Sequence, residues 1–171
     1  MYHLFSVLAS LALATASPLL LPRAINTTQE FLLKTTSSTN DAHNNLYVEA
    51  YHTGAGLNDA VLTSSTATAA KAFLNETYLE FDLGTPFSWS FSMGADTNYA
   101  AWEFVEINAG YGTTGFSLND TGVQWSEADG FGGWLVCDWW HGAPQLFWLY
   151  RFISPTLPSS CSTVDLVPEY I

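Results

Sequence analysis

The chain has 171 residues, of which 12% are charged and 15% aromatic, and its 16 acidic against 4 basic side chains give a net charge of −12. The charged share is about half that of ordinary soluble domains while aromatics abound, which excludes disorder except at the ends. Arg23, Lys34, Lys71 and Arg151 are too scattered to neutralise a run of phosphates, so nucleic acid and anionic membranes are excluded as partners.

Residues 1–16 read as a secretory signal. An apolar run from Leu4 to Ala14 leads into Ala14-Thr15-Ala16, a small-residue cleavage site with the cut before Ser17. No Lys or Arg precedes the run, only the α-amino group and His3. A membrane anchor fits poorly, because a span needs ~20 apolar residues and Thr15, Ser17 and Pro18 break this one. Residues 17–29 are expected as a flexible leader, and residues 30–171 as one domain with a sizeable core and a monomeric state. Three glycosylation sequons, at Asn26, Asn75 and Asn119, agree with export. Cys137 and Cys161 are simplest as one disulfide, closing 161 − 137 = 24 residues and worth ~3 kcal/mol in the chain-entropy model. A catalytic thiol is the alternative, but nothing nearby in sequence would lower its pKa. Two cysteines are too few for the usual structural zinc site.

From Glu30 onward short β runs alternate with turn residues at intervals of about ten, the signature of an antiparallel barrel or sandwich. The expected strands are Phe31–Thr35, Leu46–Tyr51, Ala60–Thr63, Ala72–Asn75, Tyr78–Leu83, Trp89–Met93, Trp102–Asn108, Phe116–Leu118, Val123–Trp125, Trp134–Trp139, Gln145–Tyr150 and Val164–Val167. In the second of these Leu46, Val48 and Ala50 share the expected core face, with Tyr47, Glu49 and Tyr51 opposite. In Trp102–Ile107 two glutamates bracket an apolar pair, which predicts a bulge or a strand end near Val105. The stretch Ala67–Phe73 is the sole helix-compatible one, and its shortness and Thr68 limit it to a turn or a single helical turn.

An internal echo sets the architecture. Leu74-Asn-Glu-Thr-Tyr-Leu-Glu-Phe81 aligns with Leu118-Asn-Asp-Thr-Gly-Val-Gln-Trp125 at an offset of 118 − 74 = 44, and Phe87, Trp89 and Phe91 correspond to Phe131, Trp134 and Val136. A fainter unit opens at Phe31. Three four-stranded units make a closed all-β barrel of β-trefoil type. The alternative is a chance likeness of two hairpins in an up-and-down barrel or sandwich, since Leu-Asn-acid-Thr is good turn chemistry.

Residues 130–151 hold four of the seven tryptophans and one cysteine. Trp139-Trp140-His141 before Gly-Ala-Pro is the leading candidate surface, because adjacent strand residues face opposite sides and one indole must point outward. If Leu135, Cys137 and Trp139 share the disulfide face, Trp139 is core and Trp140 is free to stack on a sugar ring, with Asp138 as an acceptor. The plainer account is a barrel-closing aromatic cluster. The second candidate is Tyr51–Ala60, read as a glycine-rich loop gathering His52, Asn58 and Asp59. It lacks the lysine and the helix start of a phosphate loop. A metal site of His52, Asp59 and His43 is weaker than a loop satisfying its own backbone, and neither metal nor cofactor is expected. Glu103, Glu106, Glu127, Asp129 and Asp138 are candidates for a carboxylate pair, but no spacing unites two of them. No Gly-x-Ser-x-Gly elbow is present, and no serine triad is recognisable.

Phe31–Thr35, Leu46–Leu62 and Phe131–Asp138, with Cys161 near the end, resemble a family of small secreted all-β domains of ascomycete fungi that has no assigned function. The likeness covers nearly all of residues 30–171, and the Tyr51–Leu62 part is its most specific. Where relatives have Phe-Pro-Trp-Gly, this chain has Phe87-Ser-Trp-Ser90. The resemblance implies secretion and a shared fold, and supplies no catalytic residues. The expected function is non-catalytic binding of a glycan or a protein ligand at the cell surface. A secreted glycoside hydrolase is one rival. A trefoil-type protease inhibitor presenting Lys71 or Arg151 is the other.

Overall fold

The computed structural model describes residues 29–95, 100–126 and 130–171, so the signal, nearly all of the leader, Asn26, Glu127 and Asp129 lie outside the described residues. All twelve expected strands form: β1 (Phe31–Thr36), β2 (Tyr47–Gly54), β3 (Leu57–Thr63), β4 (Lys71–Asn75), β5 (Tyr78–Asp82), β6 (Trp89–Met93), β7 (Trp102–Ala109), β8 (Phe116–Asn119), β9 (Gly122–Trp125), β10 (Phe131–Asp138), β11 (Pro144–Tyr150) and β12 (Cys161–Tyr170). A single 3-10 turn, Asp41–His43, is the helical element among the described residues.

The pairing is antiparallel throughout, and the main sheet closes on itself through β1–β4 and β10–β11. Strands four apart in chain order occupy equivalent places. β3, β7 and β11 pair with one another, Asp59 opposite Glu106, Val61 opposite Gln145 and Phe104 opposite Phe147. The hairpins β4–β5 and β8–β9 are two equivalent corners, and β12 with β1 forms the third, where Phe31 stands opposite Tyr170. The fold is thus an all-β closed barrel with the threefold strand logic of a trefoil, and the echo at offset 44 is the β4–β5 corner repeated as β8–β9.

Not every junction is a ladder. β8 is joined to the first corner by the Phe116 N–H donating to the Thr77 carbonyl at 2.9 Å. β9 meets β12 by close packing. Gly122 has φ +100°, and a Cβ there would lie 2.2 Å from the Leu166 carbonyl oxygen. Only glycine supplies both that backbone and that clearance.

Alternation explains the core. Leu33, Val48, Leu62, Leu79, Phe81, Phe91, Val105, Ile107, Trp134, Val136, Leu146, Trp148 and Leu166 all point inward and are buried. The indoles find carbonyl partners there: Trp134 Nε1 donates to Val123 at 2.8 Å, Trp125 to Thr114 at 2.8 Å and Trp148 to Gly94 at 3.2 Å. This lets large amphipathic rings fill the barrel without orphaned donors. A second apolar layer lies on the outer face, where Leu135, Cys137, Phe147 and Leu149 pack with Trp102, Leu157 and the Cys161 half of the disulfide. β10 and β11 are therefore buried on both faces.

Two expectations are corrected. β7 has no bulge at Val105. Its register with β6 is unbroken, and Glu103, Val105 and Ile107 face inward while Phe104 faces outward, exposed and opposite Phe147 in the register with β11. The bulges lie instead between Phe131 and Gly133 and between His52 and Gly54. The stretch 51–60 is not a loop either, because β2 and β3 run through it as a hairpin whose turn is only Ala55-Gly56. The Gly56 carbonyl accepts the Ala109 N–H at 3.0 Å, so β7 supports the tip and lets the ladder extend.

Candidate functional site

β10 ends at Asp138 because the chain turns at residues 139–142, where the Gly142 N–H reaches the Trp139 carbonyl at 3.4 Å and Gly142 takes φ +73°. Strand alternation stops there, and Trp139 is not the core residue that alternation predicts. It leans edge-on against Phe147, with ring centroids 5.4 Å apart, and stays 48% exposed. Trp140 is 74% exposed. Both indoles therefore reach solvent, on either side of one turn.

Trp140 is held by a stack that the sequence did not reveal. The His141 ring contacts Trp140 at 3.8 Å between centroids and Tyr51 of β2 at 4.2 Å. The His141 side chain is 2% exposed, and its Nε2 lies 2.5 Å from Oδ2 of Asp59 on β3. With the tautomer that carries its proton on Nε2, His141 donates in this bond and the Asp59 carboxylate accepts. Asp59 also faces Glu106 across the β3–β7 pairing, a like-charge juxtaposition that destabilises a sheet. Each carboxylate has its own donor: His141 serves Asp59, and Asn108 Nδ2 serves Glu106 at 2.8 Å. The repulsion is thereby offset, and the stack is fixed to β2 through Tyr51 and to β3 through Asp59.

Asp138 belongs to an adjoining cluster. Its N–H donates to the Ser160 carbonyl at 2.9 Å, and its Oδ1 lies 3.3 Å from Nε2 of His43. His43 is fully buried, with Nδ1 2.6 Å from Ser162 Oγ, which is itself 2.7 Å from Ser38 Oγ. Ser162, His43 and Asp138 thus stand in the order of a hydrolytic triad, an assembly invisible in a sequence that scatters them over positions 43, 138 and 162. Access is reversed, however. The hydroxyl that would attack is 3% exposed within β12, whereas the Asp138 side chain is 66% exposed. A nucleophile must meet its substrate, so the cluster ties the 3-10 turn to β10 and β12.

Of the six candidate ligand residues, the structure joins Trp140, His141 and Asp59, and sets Asp138 at the root of the same turn. Asn58 and His52 lie elsewhere. Asn58 is buried and donates to the Ile107 carbonyl at 2.8 Å, and His52 stands opposite Asn58, exposed and one residue out of step with Asp59. His43, His52 and Asp59 do not converge, and among the described residues no three His, Cys, Asp or Glu side chains are placed to hold a metal ion. Glu103 and Glu106 point to opposite faces of β7. Lys71 opens β4 within the ladder rather than on a protruding loop, and Arg151 lies over the Phe152 ring at 5.9 Å. Two sequons sit at equivalent hairpin turns. Asn75 Nδ2 donates to the buried Glu80 at 3.1 Å, and Asn119 Oδ1 accepts from Thr121 N at 2.9 Å and Thr121 Oγ1 at 2.8 Å. The disulfide joins Cys137 to Cys161, which are direct partners in the β10–β12 register.

Comparison with curated proteins and with solved structures gives no match. A family model described as a domain of unknown function, DUF7907, matches residues 28–170. That match runs through every strand from β1 to β12, and the chain belongs to the DUF7907 family.

Proposed function

We propose that this is an exported, glycosylated protein of fungal type that binds a glycan without catalysis, at the turn carrying Trp139, Trp140 and His141. One observation carries the reading: Trp140 is three-quarters exposed and yet braced on a histidine that is buried and fixed by Asp59. An indole left in water is costly unless something covers it, and bracing removes the ordering cost that a mobile ring would meet on binding. A sugar ring offers the flat C–H face that such an indole stacks against, and the carboxylates nearby accept its hydroxyl hydrogens. The disulfide supports export, since such bonds persist in oxidising compartments.

The hydrolase alternative draws on a different place. A cleft of about 410 Å³ is lined by Glu49, Asp82 and Lys71. Both carboxylates are engaged there, Glu49 with Thr68 Oγ1 at 2.9 Å and Asp82 with the Gly84 N–H at 2.8 Å. Purified protein applied to a glycan array, and in parallel to generic glycoside substrates, separates the two. The expected result is glycan retention that Trp140→Ala abolishes without loss of fold, and no turnover. Turnover removed by Glu49→Gln, or array binding that Trp140→Ala leaves intact, overturns the proposal.

A further inference from the structure

We infer that the ligand of this turn carries amines: it is a chain of amino sugars, with ammonium groups set between indole faces and the Asp138 carboxylate. The inference rests on the glycan reading and adds the charge of the sugar.

The first observation is that two solvent-facing indoles follow directly on an exposed carboxylate at one turn. Trp139 is braced by Phe147 and Trp140 by His141, while Asp138 immediately precedes both. Asp138 is itself rigid. Its N–H is bonded to Ser160 and its Oδ1 to His43, yet its side chain is 66% exposed. An exposed carboxylate one and two residues along the chain from exposed indoles can attract a cationic group, by ion pairing and by the ring quadrupole together.

The second observation is where the protein's own cations go. Lys34 pairs with Glu169 at 3.0 Å, Lys71 lies 3.9 Å from Glu30, and Arg151 lies over Phe152. The side-chain partners of Asp138, Asp59 and Glu106 are His43, His141 and Asn108, none of them a lysine or an arginine. No lysine or arginine among the described residues neutralises the acidic surroundings of the turn, in a chain whose net charge is −12. At the root of the turn Gln145, opposite Cys137, is 3% exposed and has an Oε1 with no hydrogen-bond partner. Such a field repels uronic or sulfated sugars and draws in protonated amines.

The test uses the full secreted chain and three soluble hexasaccharides of matched backbone: glucosamine, N-acetylglucosamine and glucose. Calorimetry in mildly acidic buffer, where the amine is charged, is expected to rank the glucosamine oligomer first. Raising salt from about 20 mM to about 500 mM should weaken that oligomer alone, since it shortens the screening length severalfold. Asp138→Asn keeps an acceptor for His43 and should lower glucosamine affinity about fivefold, the scale of one exposed ion pair, while leaving the glucose oligomer as it was. Equal affinity for all three sugars, lost in Trp140→Ala, would overturn the amine inference and leave the glycan reading standing. Binding to none of them would overturn both. Binding of oligolysine through the same residues, with no sugar bound, would reassign the site to a basic peptide and refute the inference.

Discussion

Replacing Gly122 with alanine tests whether β9 really closes against β12, a corner contact that no ladder records. Two costs are involved. Alanine at φ +100° carries the penalty of a left-handed backbone, about 1–2 kcal/mol. Its Cβ would also fall 2.2 Å from the Leu166 oxygen and 2.8 Å from the Leu166 carbonyl carbon, both backbone atoms, so β12 must shift within a packed barrel. Overpacking of that kind costs about 1–3 kcal/mol. Gly110 isolates the first cost, because it has a matching φ of +94° and nothing within 4 Å of a built Cβ. Urea unfolding followed by tryptophan fluorescence should show Gly110→Ala losing about 1–2 kcal/mol and Gly122→Ala about 2–5, with unchanged slopes. If the two variants lose the same amount, β12 has room to spare and the closure argued for β9 is wrong.

Reducing the disulfide, or making the Cys137→Ala and Cys161→Ala double variant, should lower stability by about 3 kcal/mol for a loop of 24 residues; a loss below about 1 kcal/mol in urea titration would mean that the β10–β12 ladder alone restrains the chain. Trp139→Ala should cost about 2 kcal/mol, half the figure for a fully buried indole because half of it is exposed, and Trp140→Ala less than about 1. Thermal melts that reverse this order would show that Trp140, not Trp139, belongs to the packing. The Lys34–Glu169 pair makes a pH prediction. The Lys34 hydrogen bond holds Glu169 below the usual carboxylate range, and the Glu169 hydrogen bond holds Lys34 above the usual lysine range. The Glu169 contribution is present above its unfolded pKa and lost as pH falls through the lowered folded value. The Lys34 contribution is complete below its unfolded pKa and lost as pH rises through the raised folded value. Glu169→Gln should therefore flatten the melting-temperature profile at both ends and leave the ranking of glycans untouched; an unchanged profile refutes the pair's role.

The strands were legible because each buries one face, so period-two alternation survives in runs such as Leu46, Val48 and Ala50. The echo was legible because equivalent corners need the same turn chemistry, and it fails where Tyr78 is answered by Gly122, since only the second meets β12. Phe104 misled because it faces outward opposite Phe147 of the outer apolar layer, and alternation of apolar with polar residues does not mark an outward phenylalanine. Trp139 misled because the strand stops one residue before it. The candidate site was half readable: Trp140 and His141 are adjacent in sequence, and Asp59 carried its own signal, but nothing local marks Tyr51 as the other face of the stack. The Ser162–His43–Asp138 cluster was wholly hidden, because register between β10 and β12, and not spacing, assembles it.

The corner built from β1 and β12 is a hairpin without a turn, its two strands held by pairing alone from Phe31 opposite Tyr170 to Thr36 opposite Asp165. Mechanically that makes the barrel anisotropic. A force applied between residues 30 and 171 would bear on the Phe31–Tyr170 rung first and then on each rung in turn, opening the seam like a zipper. The same force applied between the turns at Glu76 and Asp120 would have to slide whole strands past one another. A protein anchored by its two ends would yield at low load, and one gripped by its hairpin turns would resist with the entire sheet.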